Sequence, residues 1–441
     1  MVLARLQNHL DKNNLIIINQ SGFRKVRQTK DNLLYLISTS QQSFNQDGKT
    51  VGIFFDIAGA FDKVWHNGLV FKLHVLKVPY YLIKIIQNFL MFRTFCVKVN
   101  GEFSENKIIE CGVPQGGVLS PTLFSIYIND VPLAEGENEK TLLFADDIVY
   151  IQHYNYRKRG RILVDAPMKA KEKSQKYLDK LENWMNLWRL SLAPHKCAQT
   201  VFSKAFRADC DDLKLKLYGR CIPFDSSPKF LGIVFDSRLT FAKHHEFIKE
   251  KIKDRLNILK ILSYDKNWSL KTHILVNVYK SLIRSVLDYA SVTSVACSQK
   301  IKDDFEVIQN NSLRIIFKIS IFDHISVEEL RERANVTSIN QRHENLLNDY
   351  YERALVTHNP LLNELFTGYK KFKMRSALRE QLAIDESGEV NLECLDFIRH
   401  HNSIQPSKEE TYPTTLCKAN KIIKDLILDN YGQGIIGAGV G

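Results

Sequence analysis

Leu3, Leu6 and Leu10 recur at three- and four-residue intervals, so the chain opens in a helix. A polar block, Asn19-Gln20-Ser21-Gly22-Phe23-Arg24-Lys25-Val26-Arg27-Gln28-Thr29, separates it from a second helical stretch over 31–40. After Asp47-Gly48 the run Val51-Gly52-Ile53-Phe54-Phe55 is short, apolar and β-prone, which predicts a buried strand ending on Asp56. Residues 80–92 make a strongly apolar helix, and Phe95-Cys96-Val97-Lys98-Val99-Asn100-Gly101 alternates and then turns, as a strand does. Ser120 is placed to cap a helix, with Pro121 at its first position and Leu123, Phe124, Ile126, Tyr127 and Ile128 along it. Leu142-Leu143-Phe144-Ala145-Asp146-Asp147-Ile148-Val149-Tyr150 carries β-prone residues on both sides of two aspartates, which predicts a hairpin with the pair at its tip. A basic amphipathic helix over 166–190 holds Trp184 and Trp188, and strands are expected at 199–202 and 230–235. From about Phe241 the pattern is helical, with stretches at 345–355 and 418–428 and a Gly-rich tail at 432–441 that is expected to fray. The fold class predicted is α+β up to about residue 240 and all-α beyond it.

Two adjacent carboxylates on a sheet are unfavourable unless cations neutralise them. Asp211-Asp212 and Asp303-Asp304 lack strand signals on both sides and read as solvated surface pairs. Asp146-Asp147 does not, and Asp56 ends another strand 90 residues earlier. If those strands are neighbours, three carboxylates converge. Two Mg²⁺ ions roughly 4 Å apart would make such a cluster a phosphoryl-transfer site, one activating a hydroxyl and the other holding a triphosphate and the leaving pyrophosphate. Oxygen ligands and substrate phosphates suit Mg²⁺, with Mn²⁺ as a substitute.

Phe61 follows the small-residue turn Ile57-Ala58-Gly59-Ala60. It reads either as a core aromatic or as a wall against the 2′ position of a sugar. Gly112-Val113-Pro114-Gln115-Gly116-Gly117 reads either as an ordinary turn or as a loop that follows a nucleic-acid backbone, with Gln115 near an incoming nucleotide. It has no Lys-Ser/Thr partner, which excludes a P-loop.

Charge narrows the partners. Lys and Arg number 61 against 49 Asp and Glu, a net +12 with a pI near 9.1. Such an excess on a chain that is 44% hydrophobic, and so built to fold, points to nucleic acid; the alternative is a merely basic soluble protein. The eight cysteines show no CxxC spacing and no zinc pattern, which fits a reducing compartment, nucleus or cytoplasm, rather than secretion. No apolar run is long enough to cross a bilayer and the N-terminus turns polar too soon for a signal peptide, so no membrane partner is expected.

Phe54-Phe55-Asp56-Ile57-Ala58-Gly59-Ala60-Phe61-Asp62-Lys63-Val64-Trp65-His66 resembles motif A of reverse transcriptases. Gly112 to Pro121 with Leu123-Phe124-Ser125-Ile126-Tyr127-Ile128-Asn129-Asp130 resembles motif B, and Phe144-Ala145-Asp146-Asp147 resembles motif C. Trp184-Met185-Asn186-Leu187-Trp188 with Lys196-Cys197 is similar to motif D, Lys229-Phe230-Leu231-Gly232-Ile233 to the primer grip, and Gln20-Ser21-Gly22-Phe23-Arg24 to a late fingers motif. The motifs together resemble those of non-LTR retrotransposons of the jockey-like insect type, over about residues 1–330. The resemblance implies a right-hand polymerase: partial fingers over 1–48, a palm with remaining fingers elements over 49–238, a helical thumb over 239–338 and a helical C-terminal region over 339–441. It implies an RNA-directed DNA polymerase that uses an RNA template, a DNA primer or target and dNTPs. Asp56, Asp146, Asp147 and the carbonyl of Ile57 would hold two Mg²⁺, and Lys196 would be the general acid for pyrophosphate. Phe61, Gln115, Gly116 and Arg24 would contact the nucleotide, and Phe230, Leu231 and Gly232 the primer. The family's earlier fingers block has no counterpart, which implies N-terminal truncation and leaves an alternative, a fragment or co-opted copy that binds RNA or DNA without polymerising. Ala193 stands where the family usually has Asn, and Gly117 where it often has Ser. No endonuclease, RNase H carboxylate set or zinc knuckle is found.

Overall fold

The computed structural model describes residues 1–155, 157–158, 161–162, 165–204, 213–264, 270–320, 322–357 and 359–368. The stretches predicted at 418–428 and 432–441, and Asp211-Asp212, lie outside the described residues. The chain divides into two compact units, Met1–Leu239 and Thr240–Gly441.

In the first unit the helices are α1 (Val2–Lys12), α2 (Thr29–Asn45), α3 (His66–Val75), α4 (Tyr80–Leu90), α5 (Ser120–Tyr127) and α6 (Ala166–Leu187). The strands are β1 (Gly48–Phe55), β2 (Thr94–Phe95), β3 (Lys98–Val99), β4 (Glu102–Phe103), β5 (Lys107–Ile108), β6 (Glu139–Phe144), β7 (Asp147–Asn155), β8 (Arg157–Lys158), β9 (Arg161–Ile162), β10 (Ala198–Phe202), β11 (Lys216–Leu217), β12 (Arg220–Cys221), β13 (Lys229–Phe230) and β14 (Ile233–Val234). β10, β1, β7 and β6 lie side by side in that order, every pair antiparallel. The mixed helix and antiparallel sheet are thus those expected of an α+β unit.

β1 is central and wholly buried, which is why it reads as a continuous apolar run. Its alternate residues Val51, Ile53 and Phe55 join a cluster with Leu123, Phe124, Tyr150, Tyr177 and Leu178. Phe54, between them, meets Phe230 at 5.8 Å and Phe235 at 6.4 Å. The sheet is therefore covered on both faces, and only its strand ends reach solvent.

Several local readings differ. The strand expected at 95–101 is split into β2 and β3, each in its own short ribbon, β2–β5 and β3–β4, while the turn expected at its end is made by Asn100 and Gly101, at φ 51° and 95°. The strand expected at 230–235 folds back on itself at Leu231 and Gly232, at φ 45° and 79°. α3 gives no sequence signal: Leu69, Val70, Phe71, Leu73 and Val75 fall on every side of it, so no apolar stripe forms. Ser120 does not cap α5. Its hydroxyl donates to the Pro114 carbonyl at 2.6 Å and braces the preceding loop.

The second unit is helical where described: α7 (Ala242–Tyr264), α8 (Thr272–Tyr279), α9 (Ser285–Tyr289), α10 (Gln299–Phe317), α11 (Val327–Ala334), α12 (Ile339–Val356) and α13 (Pro360–Gly368). Leu259, Leu275, Ile283, Leu287, Leu313 and Leu330 form its core. Tyr279 is buried there and donates to Gln309 at 2.7 Å, so its hydroxyl is satisfied. Among the described residues no helix is long and apolar enough to cross a membrane.

Candidate active site

β1 pairs with β7 from Gly48↔Asn155 to Phe55↔Ile148. One step further in that register stand Asp56 and Asp147. β6 pairs with β7 as far as Phe144↔Asp147, leaving Ala145 and Asp146 as the turn. The sheet therefore delivers Asp56, Asp146 and Asp147 to one end. Desolvation first, then the charges of Asp146 and Asp56, push the Asp147 carboxyl up to about 6. Asp147 is exposed as a residue, so solvent screens part of that effect.

This end of the sheet carries surplus negative charge on oxygen donors alone, which is the chemistry a hard divalent cation fits. Among the described residues no group of three or more His, Cys, Asp or Glu side chains is arranged to hold a metal ion. The three carboxylates are gathered but not closed into a coordination shell.

Lys196 stands beside them, its Nζ 3.8 Å from Asp56 Oδ2. The backbone explains this. Ala193 N donates to Asp56 O at 2.9 Å and Ala58 N to Ser191 O at 2.9 Å, flanking the bridge Ile57↔Leu192. The Ile57 carbonyl, expected to face a metal, takes part in neither of those two bonds. Ala193, where the family usually has Asn, still makes the tie to Asp56, because its backbone amide suffices.

Phe61 stacks on Phe124 of α5, centroids 4.7 Å apart and planes 18° off parallel, and meets Phe23 edge-on at 6.3 Å. The ring borders the core, as a core aromatic would, while the residue stays partly exposed. Gly112 N donates to Val64 O and Val113 N to Phe61 O, both at 2.8 Å, which zips this turn to the glycine loop. Gly112 sits at φ 90°, and a Cβ there would lie 2.7 Å from Asp62 O, so only glycine fits. The zipper brings Gln115 to Asp62, where Nε2 donates to both carboxylate oxygens at 3.1 Å. Gly116, at φ 80°, has open space where a side chain would be. At Gly117 a Cβ would press within 2.7 Å of Ser120 Oγ, so Ser120 occupies room that a serine at 117 would need.

Arg24 is half-buried, and its Nη1 donates to the carbonyls of Ile17 at 3.0 Å and Gln20 at 3.3 Å. Phe230 is buried against the sheet, while Leu231 and Gly232 form the hairpin tip. Three residues at the site lie inside motifs but carry no role of their own in the sequence pattern: Asp62, which holds Gln115, and Gln20 and Gly22, which meet the turn at Ala145. A buried glutamine in a polar loop has no periodic signal, because its burial depends on a partner 125 residues away.

Comparison with known proteins agrees with the motifs. The profile of the family "Reverse transcriptase (RNA-dependent DNA polymerase)" matches residues 1–235, and the chain belongs to that family. It is 30% identical to the "RNA-directed DNA polymerase from mobile element jockey" of Drosophila melanogaster, over 83% of this chain and 39% of that protein. The counterpart from Drosophila funebris is 28% identical over 87% of this chain and 41% of that protein. The "Probable RNA-directed DNA polymerase from transposon BS" of Drosophila melanogaster is 27% identical over 72% of this chain and 34% of that protein. The likeness to jockey-like non-LTR elements is thereby borne out, and the chain spans about 40% of the length of the jockey relatives. Among solved structures, apo telomerase from Candida Tropicalis aligns with 90% of this chain and 60% of its own at 13% identity and a TM-score of 0.40.

Proposed function

We propose that this chain is an RNA-directed DNA polymerase of a non-LTR element, adding deoxynucleotides to a primer 3′ hydroxyl on an RNA template, in the nucleus or cytoplasm. The observation that carries this reading is the β1–β7 register, which sets Asp56 beside Asp147 with Lys196 3.8 Å from Asp56. On this reading residues 1–48 are partial fingers, 49–238 the palm, 239–338 the thumb and 339–441 a C-terminal region.

Asp56, Asp146, Asp147 and the Ile57 carbonyl would hold two Mg²⁺, or Mn²⁺ in their place. Bound there, the ions would lower the pKa of the primer hydroxyl and neutralise charge on the phosphates. The chain's own residues do the rest. Lys196 gives a proton to the departing pyrophosphate, next to the carboxylate that holds the reacting end. Phe61 walls off the sugar's 2′ position. Gln115, fixed by Asp62, and Gly116, with its open backbone, would border the incoming nucleotide, and Arg24 would contact its phosphates. Phe230 anchors the β13–β14 hairpin so that Leu231 and Gly232 meet the primer. The basic balance of the whole chain supplies salt-sensitive, sequence-independent grip on the template–primer backbone.

The test is primer extension on an RNA template with Mg²⁺, comparing the chain with its Asp146→Ala, Asp147→Ala variant. Incorporation by the first and not the second is the expected result. Equal incorporation overturns the catalytic reading, and duplex binding by both without extension favours a binding protein.

A further inference from the structure

Ala145 sits at φ 55°, a left-handed conformation that a residue with a Cβ keeps only when its surroundings enforce it. Those surroundings come from the polar loop before α2. Gln20 is 1% exposed. Its Oε1 accepts from Ala145 N at 2.9 Å and from Gly22 N at 2.7 Å, and its Nε2 donates to Ala145 O at 3.3 Å. Two N–H groups on one amide oxygen fix the carboxamide's orientation, because the flipped amide would oppose donors to donors.

Gly22 completes the grip by shape. A Cβ on it would lie 2.2 Å from Ala145 N and 2.9 Å from Ala145 Cα, backbone against backbone, so no other residue fits without moving the turn. The loop is itself anchored. Ser21 N donates to Leu143 O at 2.9 Å and Leu143 N to Asn19 O at 3.0 Å, so the segment pairs with the last turnward residues of β6. Asn32 of α2 donates to Leu143 O at 2.9 Å and accepts from Ser21 Oγ at 3.0 Å. The turn is thus held by β7 on one side and by residues 19–22 on the other.

We infer that Gln20 and Gly22 are positioning residues that lock the backbone of Ala145 and thereby aim the Asp146 and Asp147 carboxylates. Gln20 is too buried to touch a substrate and acts only through that backbone. The inference rests on the polymerase reading for its catalytic consequence, though not for its structural one. Sites of this kind tolerate misplacement of only about 0.5 Å, and a shift of about 1 Å can slow chemistry roughly 10²-fold. Without Gln20 the turn relaxes toward an ordinary φ and the two carboxylates turn with it.

The experiment uses the full chain and its Gln20→Ala and Gly22→Ala variants, with three readouts: steady-state primer extension, Mn²⁺ affinity by electron paramagnetic resonance, and amide hydrogen exchange. Expected are a kcat lower by about 10²-fold at unchanged KM for dNTP, Mn²⁺ affinity weaker by roughly 10-fold or more, and faster exchange confined to residues 143–148. Wild-type exchange at 143–148 with wild-type Mn²⁺ affinity in a folded Gln20→Ala overturns the inference. If the wild-type chain extends no primer, the polymerase reading fails, and the exchange and Mn²⁺ arms still judge the clamp. If Gln20→Ala unfolds, Gln20→Glu decides, since it keeps the acceptor for the two N–H groups and sets a charged oxygen that repels the Ala145 carbonyl where the donor stood. Exchange raised at 143–148 alone then supports the clamp, and exchange raised throughout the unit overturns it.

Discussion

Lys196 and Asp56 stand 3.8 Å apart, Nζ to Oδ2, although 140 residues separate them in the chain. Both side chains are about half exposed, 61% and 46%, so the pair itself contributes at most about 1 kcal/mol to stability. A contact so weakly tied to folding can be removed cleanly. Lys196→Met should leave the melting temperature nearly unchanged and slow single-nucleotide incorporation roughly 10²- to 10⁴-fold, the usual range for a lost general acid. Lys196→Arg should be slow as well, because a guanidinium keeps its proton. Rapid-quench incorporation kinetics check both, and an Arg variant at full speed would leave the lysine only an electrostatic role.

Phe61 packs against Phe124 on one side and Phe23 on another, which holds its ring in place. Phe61→Ala should raise ribonucleotide incorporation relative to deoxyribonucleotide by more than about 10-fold, as one well-placed steric contact is worth about 1–3 kcal/mol. It should also cost roughly 2 kcal/mol of stability, less than a fully buried Phe→Ala because the residue is only partly buried. Phe61→Tyr should keep the discrimination. Competition between ATP and dATP on one template measures the ratio. A stability loss with no change in that ratio would reduce Phe61 to a core aromatic.

The legible parts of this fold are those whose signal is local. β1 announces itself because both its faces are buried, and the hairpin because apolar residues bracket two carboxylates. Asp56, Asp146 and Asp147 are found at one sheet end for the same reason, since strand ends follow from strand limits. α3 was silent because it has no apolar stripe. Ser120 carries a capping residue's chemistry, yet its hydroxyl donates to the nearby Pro114 carbonyl instead. The Gln115–Asp62 contact and the Gln20 clamp each join segments 53 and 125 residues apart, and no periodicity encodes such pairings.

Lys72 offers a test of the packing behind the site. Its ammonium lies over Trp188 at 3.5 Å and near Trp184 and Tyr127 at 4.9 Å each, and it donates to Asp130 and to the Tyr127 carbonyl. Desolvation outweighs the Asp130 contact and lowers its pKa from 10.5 to about 8. Between those values the unfolded chain binds more protons, so this group makes stability rise with pH across the window. Below about pH 8 its burial penalty is complete, up to roughly 3 kcal/mol. Tyr127, pushed up to about 12 by burial, has the opposite slope above pH 10, which sets the upper limit of a clean measurement. Urea unfolding at pH 7, 8.5 and 9.5 should show the wild type gaining on Lys72→Met as pH rises. Parallel curves would mean that the aromatic rings and Asp130 keep the ammonium charged.

Asp147 gives the converse sign. Its folded pKa of about 6 lies above the ordinary 3.8, so the stability tied to its proton is whole below that lower value and lost as pH rises through 6. At neutral pH, without a cation, the sheet end therefore works against folding. The shift alone corresponds to roughly 3 kcal/mol, and since the residue is exposed, solvent screening reduces this to about 1 kcal/mol. In EDTA at pH 7.5, Asp147→Asn should be more stable than the wild type by about that amount, and at pH 4 the two should nearly coincide. Adding Mn²⁺ or Mg²⁺ should raise the wild type and leave the variant behind, because a ligand that binds only the folded state stabilises it by mass action. The same variant should lose primer extension, stability having been gained at the cost of the site. Differential scanning calorimetry under the three conditions decides the matter. Equal melting of the two proteins in EDTA at pH 7.5 would show that water, and not a missing cation, already relieves the crowded carboxylates.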